Sequence, residues 1–397
     1  MNTANWLKSI NPSPTMAVNK KVIELKARGE RIVSLVVGEP DFNTPDFIKA
    51  AVNEALKKNL TRYTDAPGIL ELRSAICDKL KRDNNINYEV GQIIVTCGAK
   101  QAISTALCVL LDEGDEVLVP APYWVSYPDM VKLARALPVF IPTTDAKSYK
   151  LTIEDLEKFS SPKTKVLILN NPSNPTGVLY NRDELIAISE WCVKKDITII
   201  SDEVYEKIVF SGRKFYSVAS LSEEIYKKTI TINGLSKSHC MTGWRVGYAA
   251  GPKNVISAMG SYQSHFLSHI PTFIQHASVA ALKDESFIPE MIKKYESRVR
   301  ASMELLKVHM PESKCVEPDG AFYIFPTIDN YIGKSAKGVI IKDSVDMATF
   351  LLEEAKVAVV PGIAFGMDKN IRLSVATSME ELKEGIEKIG KALLTLK

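Results

Sequence analysis

The sequence predicts an α/β protein: a large domain with a mostly parallel sheet covered by helices on both faces, plus a smaller α+β domain built from both chain ends. Three observations carry this reading. From Glu89 to Asn233, short β-branched or leucine-rich runs alternate with stretches of helical spacing, the rhythm of βα repetition. The runs are apolar at successive positions, as strands buried on both faces are. After about Glu285 the rhythm gives way to one long helical stretch, then short strands and a terminal helix. With 397 residues and roughly 150 residues per domain as a guide, the expected division is an amino-terminal arm with part of the small domain over 1–45, the large domain over 46–285 and the small domain over 286–397.

In chain order, the segment from Pro12 to Gly38 precedes the repeats and is expected to pack with the carboxyl-terminal unit. Strands are read in "QIIVT", "DEVLVP", "KVLILN", "DITIISDE" and "KTITIN". Between them, "KQAISTALCVLL" is a helix stopping before Gly114, and "RDELIAISEWCVKK" is one ending in lysines, both ordinary helix-stop chemistry. Beyond Glu285, "SFIPEMIKKYESRVRASMELLKVH" is a long helix, "GAFYIFP", "VAVVPG" and "IRLSVA" are short strands, and "SMEELKEGIEKIGKALLTL" is the last helix. A cleft is expected at the carboxyl ends of the parallel strands, facing the second unit.

Composition narrows the function classes. With 46% hydrophobic and 24% charged residues the chain reads as an ordinary globular protein rather than a disordered one. The 50 basic residues against 47 acidic ones, with no basic run, point away from nucleic acid and leave small molecules as the partners. Cys77, Cys97, Cys108, Cys192, Cys240 and Cys315 form no Cys-x-x-Cys pair, which fits buried thiols in a reducing compartment. The start, "MNTANWLKSINPSPTMAV", has no continuous apolar region, and no run of about 18 apolar residues occurs, so a cytoplasmic, non-membrane protein is expected. His265, His269 and His276 lack an H-E-x-x-H frame, and no metal site is expected.

Four polar clusters fall where the cleft would be. "ILNNPSNPTG" sets Asn170, Asn171 and Asn174 after an apolar strand, with Pro172 and Pro175 fixing the backbone. A single Asn-Pro turn would be only a rigid turn; the doubled one asks for more. "ITIISDEVYEK" runs a strand into Asp202, Glu203 and Tyr205, where the aspartate is either a helix cap or a carboxylate in need of a cation. "TCGAKQA" places Gly98, Ala99 and Lys100 at a strand-to-helix turn suited to a phosphate. "INGLSKSHCMTGWRVGYAAGP" anchors Lys237 and Arg245 in a run that otherwise reads as core. These groups answer one object, a phosphorylated pyridine aldehyde such as pyridoxal 5'-phosphate. Lys237 would form the imine, Arg245 and the Gly98 turn would hold the phosphate, Asp202 would pair with the ring nitrogen, and Tyr205 with Asn174 would bond the phenolic oxygen.

In their order and spacing, N-P-x-N-P-T-G, S-D-E-x-Y and S-K-x-x-x-M-T-G-W-R-x-G-Y resemble the fold-type I aminotransferases of class I. The stretches "GEPDF", "YWVSYP" and "VVPG" resemble the bacterial aspartate aminotransferase branch, and the likeness runs from "NPSPTMAV" to "IRLSVATS". The resemblance implies that Trp124 stacks on the pyridine face and that Tyr63 reaches the phosphate of a neighbouring subunit, hence a homodimer. It implies that Arg372 grips the substrate α-carboxylate, with the Gly38 backbone beside it, and that Ser13 and Thr15 supply donors to a distal carboxylate. One position departs from the pattern: related branches carry a phosphate-binding serine where this chain has Gly234, so other donors must complete that end.

The implied reaction is a ping-pong transamination between an amino acid, foremost aspartate, and 2-oxoglutarate, with Lys237 as general base and acid. Aromatic donors or prephenate are the near alternatives, as is a lyase reaction on the same cofactor. A non-catalytic ligand-binding module is the remote one.

Overall fold

A computed structural model of the chain describes residues 4–10 and 14–397, and of 14–17 and 19 the backbone alone. Seven strands form its main sheet: β1 (Ile93–Cys97), β2 (Glu116–Ala121), β3 (Leu137–Pro142), β4 (Thr164–Asn170), β5 (Thr198–Asp202), β6 (Thr229–Gly234) and β7 (Val246–Ala250). Their order across the sheet is β1-β7-β6-β5-β4-β2-β3. Strands β3, β2, β4, β5 and β6 run parallel, and β7 lies antiparallel between β6 and β1. All five expected strand runs are strands of this sheet; β3 and β7 are additions.

Alternate residues of the central strands feed two different cores. Val166, Ile168, Ile200 and Ile232 join one apolar cluster, while Leu167, Leu169 and Ile199 join another on the opposite face. Helix Gly98–Leu110 belongs to the first layer and Arg182–Lys194 to the second. Burial on both faces is why these runs lack polar alternation. Asn181 caps Arg182–Lys194 with a side-chain bond to Glu184 N, and Glu184 returns one to Asn181 N.

From Ile288 onward the chain forms a further cluster around helices Ile288–His309 and Met379–Leu393 and an antiparallel sheet in which Ile371–Ser374 lies between Val360–Pro361 and Tyr323–Ile324. Val33–Ser34 pairs in parallel with Val357–Ala358, bringing the early segment onto this unit. Tyr205 and Ile208, which follow β5, pack in the same cluster, so the two parts meet next to the carboxyl ends of the parallel strands.

Strand β7 could not have been read from hydrophobic pattern, because its apolar run is broken by Gly247. The reason for that glycine is contact. A Cβ on Gly247 would lie 2.3 Å from Ala99 N and 2.3 Å from Gly98 C, so β7 lies directly under the first turn of helix Gly98–Leu110. Both opposing atoms are backbone and neither can swing aside. Gly247→Ala is expected to destabilise the fold by about 2 kcal/mol or more, as overpacking against fixed backbone does; chemical denaturation of the cofactor-free protein, with a midpoint clearly below that of the parent, is the check.

Candidate active site

The carboxyl ends of β4, β5 and β6 deliver Asn170, Asp202 and the short helix Leu235–Ser238 to one place. A cavity of about 280 Å³ opens there, lined by Gly38, Ala99, Lys100, Trp124, Asn174, Asp202, Tyr205, Lys237, Arg245 and Arg372 among others. It lies near the lower end of the roughly 300–1,000 Å³ usual for small-molecule sites. Ten of the residues singled out in the sequence thus share one wall. Gly98 stands just behind it, against Arg245.

Asp202 is buried, and its surroundings settle the alternative left open above: no helix follows β5, so it caps nothing. Its Oδ2 accepts from Tyr127 OH at 2.6 Å and its Oδ1 from Val204 N at 3.3 Å. Its backbone carbonyl accepts from Asn170 Nδ2 and Asn171 N, both at 3.0 Å. Burial pushes the carboxyl up to about 6, while the Tyr127 hydroxyl, Val204 N–H and the charge on Lys237 draw it back. The doubled Asn-Pro turn is therefore a brace for the strand end. Asn170 Oδ1 also accepts from Asn174 N at 2.7 Å.

Lys237 donates to the Gly38 carbonyl, and burial pushes its ammonium down to about 8. Arg245 adopts a left-handed backbone, φ 59°. It donates to Thr242 O at 2.8 Å and Cys97 O at 3.2 Å. Its Nη2 would lie 2.4 Å from a Cβ on Gly98, where φ is +78°, so the guanidinium occupies the space over the helix start that a side chain would fill. Lys100 donates to Ser126 Oγ at 3.1 Å and lies 4.9 Å from the Trp124 ring centroid.

Arg372, which as an isolated strand arginine would suggest a surface position, is 3% exposed. It donates to Asn174 Oδ1 at 3.1 Å and Val36 O at 2.8 Å, and its Nε has no partner. Among the described residues no carboxylate lies within salt-bridge distance of Lys100, Lys237, Arg245 or Arg372. The cavity therefore carries four cations beside the single carboxylate of Asp202.

Three further positions were expected to contribute. Tyr63 is 92% exposed, edge-on to His269, and does not line its own chain's cavity. Ser13 lies outside the described residues, as does the side chain of Thr15 in helix Pro14–Ala27. At Gly234 a Cβ would lie 2.7 Å from Val246 O, so the pairing of β6 with β7 leaves no room there for a serine; Ser236 lines the cavity instead. Tyr127 and Tyr323 also line it and were missed. Tyr127 stands three residues after Trp124 in "YWVSYP", and Tyr323 is one aromatic among several in "GAFYIFP"; neither pattern separates a site phenol from core.

This donor set fits a phosphorylated pyridine. A guanidinium at a helix start suits the phosphate, a buried carboxylate suits a protonated ring nitrogen, and a lysine of lowered pKa suits an aldehyde.

Comparison with known proteins gives the same direction. Residues 30–389 match the family model described as aminotransferase class I and II. The chain is 44% identical over 390 residues to an aspartate aminotransferase of Bacillus subtilis, covering 98% of each. It is 46% identical over 390 residues to a probable aspartate/prephenate aminotransferase of Rickettsia conorii, covering 98% of this chain and 97% of that one. The aspartate aminotransferase of Thermus thermophilus, solved with maleate, superposes with a TM-score of 0.93 at 37% identity, covering 99% of this chain and 100% of that one.

Beside Asp202 stands a second buried carboxyl, Glu203, 1% exposed. Its Oε1 accepts from Ser201 Oγ, Ser217 Oγ and Val218 N, and its Oε2 has no partner. Burial, reinforced by the charge on Glu206, pushes it up to about 7 from an ordinary 4.5. A carboxyl raised in the folded state stabilises the fold below the unfolded pKa and loses that contribution as pH rises through the folded one. Between about pH 4.5 and 7 this group should therefore remove on the order of 3 kcal/mol. Glu203→Gln is expected to abolish that part of the decline, read as a parent-minus-variant stability difference across pH 4–8 in the cofactor-free protein; a difference independent of pH would contradict it.

Proposed function

The chain belongs to the class I and II aminotransferase family, enzymes of pyridoxal 5'-phosphate that act on an amino acid and a 2-oxo acid, and from that premise we propose that it moves the amino group of aspartate to 2-oxoglutarate by a ping-pong course. The observation that carries the choice of a dicarboxylic donor is the surplus of positive charge in the cavity. Arg245 is assigned to the phosphate, Arg372 to the α-carboxylate and Lys237 to the aldehyde. Lys100 is then left over, donating to Ser126 Oγ beside the Trp124 face and, among the described residues, with no salt-bridged carboxylate, available to a second carboxylate. The maleate in the Thermus thermophilus relative, a four-carbon dicarboxylate, supports the same reading. Prephenate as a further acceptor is supported by the name of the Rickettsia conorii relative.

When bound, the cofactor supplies an aldehyde for the amino group and an electron-poor ring that holds the charge left on the substrate Cα. The chain's residues do the rest. Lys237, its ammonium lowered to about 8, has a sizeable neutral fraction near pH 7–8 and so can act first as nucleophile and then as the base that takes the Cα proton. Asp202 would keep the ring nitrogen protonated, Tyr205 and Asn174 would hydrogen-bond the phenolic oxygen, and Trp124 would pack on the ring. The N–H groups of Gly98, Ala99 and Lys100 at the helix start, with Ser236, complete the phosphate site that Gly234 cannot serve. Arg372 orients the α-carboxylate, with Gly38 beside it, and Thr15 with Ser13 adds donors to the distal one.

In this reading residues 46–285 hold the cofactor, and 286–397 with 1–45 close over the substrate. Tyr63 completes the phosphate site of a second copy, making a homodimer with shared sites; its near-complete exposure supports this. The six cysteines, all free thiols, support a cytoplasmic location, and among the described residues no helix is long and apolar enough to cross a membrane.

Two experiments test these assignments. With 2-oxoglutarate as acceptor, aspartate should exceed alanine and leucine by at least about tenfold in kcat/KM, roughly 1.4 kcal/mol. Lys100→Ser should narrow that margin while cofactor affinity falls little; an aliphatic preference in the parent enzyme would overturn the dicarboxylate assignment. Separately, mixing Lys237→Ala chains with a severely impaired Tyr63 variant should restore activity, since one site of each hybrid dimer keeps both residues. No recovery despite measured subunit exchange would place Tyr63 within its own chain's function.

A further inference from the structure

Tyr323 begins the strand Tyr323–Ile324 and faces Ser374 in the register of the small sheet, next to the strand that carries Arg372. It is fully buried and lines the cavity. Two of its surfaces are engaged at once. The Arg372 guanidinium carbon lies 4.4 Å from the Tyr323 ring centroid and 5.0 Å from that of Phe365, so the cation is held between two aromatic rings. The Tyr323 hydroxyl lies 2.9 Å from the Tyr205 hydroxyl, with the rings edge to face at 82°. A Cβ on Gly38 would stand 3.2 Å from that same hydroxyl, so the glycine leaves the phenol its room.

We propose that Tyr323 is a positioning residue with two separable jobs: its ring face holds Arg372 for the substrate carboxylate, and its hydroxyl donates to Tyr205 so that Tyr205 donates to the cofactor. The inference rests on the roles given above to Arg372 and Tyr205.

Proton counting gives the hydrogen bond its direction. A phenol has one proton and can accept through its oxygen. Among the described residues the Tyr205 hydroxyl has no other hydrogen-bond partner than Tyr323. If Tyr205 gives its proton to the phenolic oxygen of the cofactor, the bond between the two tyrosines must run from Tyr323 to Tyr205. The chain of donors is then fixed, and between two buried phenols each bond strengthens the next. The ring face plays no part in this chain. Stacking on an arginine needs only the π surface, which phenylalanine also has.

The test separates the two jobs. In the holoenzyme Tyr323→Phe removes the hydroxyl and keeps the face. A weaker hydrogen bond from Tyr205 leaves the cofactor oxygen more basic, so the pH midpoint of the visible absorbance should rise by about 0.5 unit, a threefold change in the proton equilibrium. The KM for aspartate should stay within about twofold. Tyr323→Leu, which loses hydroxyl and face together, should move the midpoint as far and also raise KM about tenfold or more. Tyr323→Met serves in its place if the leucine variant does not fold.

Tyr205→Phe and Arg372→Lys are the controls, the first expected to raise the midpoint and the second to raise KM. An unmoved midpoint in Tyr323→Phe beside a moved one in Tyr205→Phe overturns the proposal alone. Equal KM increases in Tyr323→Phe and Tyr323→Leu overturn the division of labour. An unmoved midpoint in Tyr205→Phe overturns the role of Tyr205 itself, and the coupling with it.

Discussion

The Asp202 carboxyl group sits at the end of β5, out of water, with each oxygen and its own backbone carbonyl engaged. Burial alone would drive it neutral, and a neutral acid could not hold a pyridinium proton. The surrounding architecture opposes that drift. Tyr127, from the segment after β2, and Lys237, from the helix that follows β6, draw the carboxyl back toward ionisation, while Asn170, at the end of β4, holds the Asp202 backbone carbonyl. These elements lie side by side only because the central strands are parallel, so that their carboxyl ends emerge at one edge. The sheet topology and the ionisation of one carboxyl group are thus the same constraint viewed at two scales.

Around that carboxyl group the cavity is electrically unfinished. Lys100, Lys237, Arg245 and Arg372 face it with no salt-bridged carboxylate among the described residues, and their mutual repulsion contributes, after burial, to lowering Lys237 and Lys100. A protein interior tolerates this only when the missing charges arrive with a ligand. Phosphate and carboxylate groups bind the folded state and not the unfolded one, so they relieve the repulsion and add to stability by mass action. The enzyme's affinity for its anionic ligands and its strain without them have one origin.

How much of this was legible follows from what each residue's environment demands of sequence. Strands β1, β2, β4, β5 and β6 stood out because burial on both faces leaves an unbroken apolar run. Strand β3 did not: it is the sheet edge, half exposed, and starts and ends beside prolines at 138 and 142. Strand β7 was hidden by Gly247, whose reason is a neighbour almost one hundred and fifty residues earlier in the chain. Lys237, Arg245, Asp202 and Asn174 were readable because charge or amide in an apolar context has few explanations. Tyr127 and Tyr323 were not, since a tyrosine in a core run is ordinary, and only the position of its hydroxyl distinguishes it. The buried pair of Lys79 with Glu206, braced by Asn84, was likewise invisible, its partners lying on distant segments with surface-like local sequence.

The pairing of Val33–Ser34 with Val357–Ala358 joins segments made at opposite times during synthesis. On the ribosome the early segment, with Gly38 just behind it, emerges first and finds no strand to pair with until more than three hundred further residues have been added. The strands of the main sheet, all laid down between residues 93 and 250, leave the exit tunnel well before then and can associate as the chain grows. The wall of the cavity that holds Gly38 on one side and Arg372 on the other is assembled only as translation nears its end. A nascent chain therefore carries Lys237 on its growing sheet before the opposite wall of the same cavity exists.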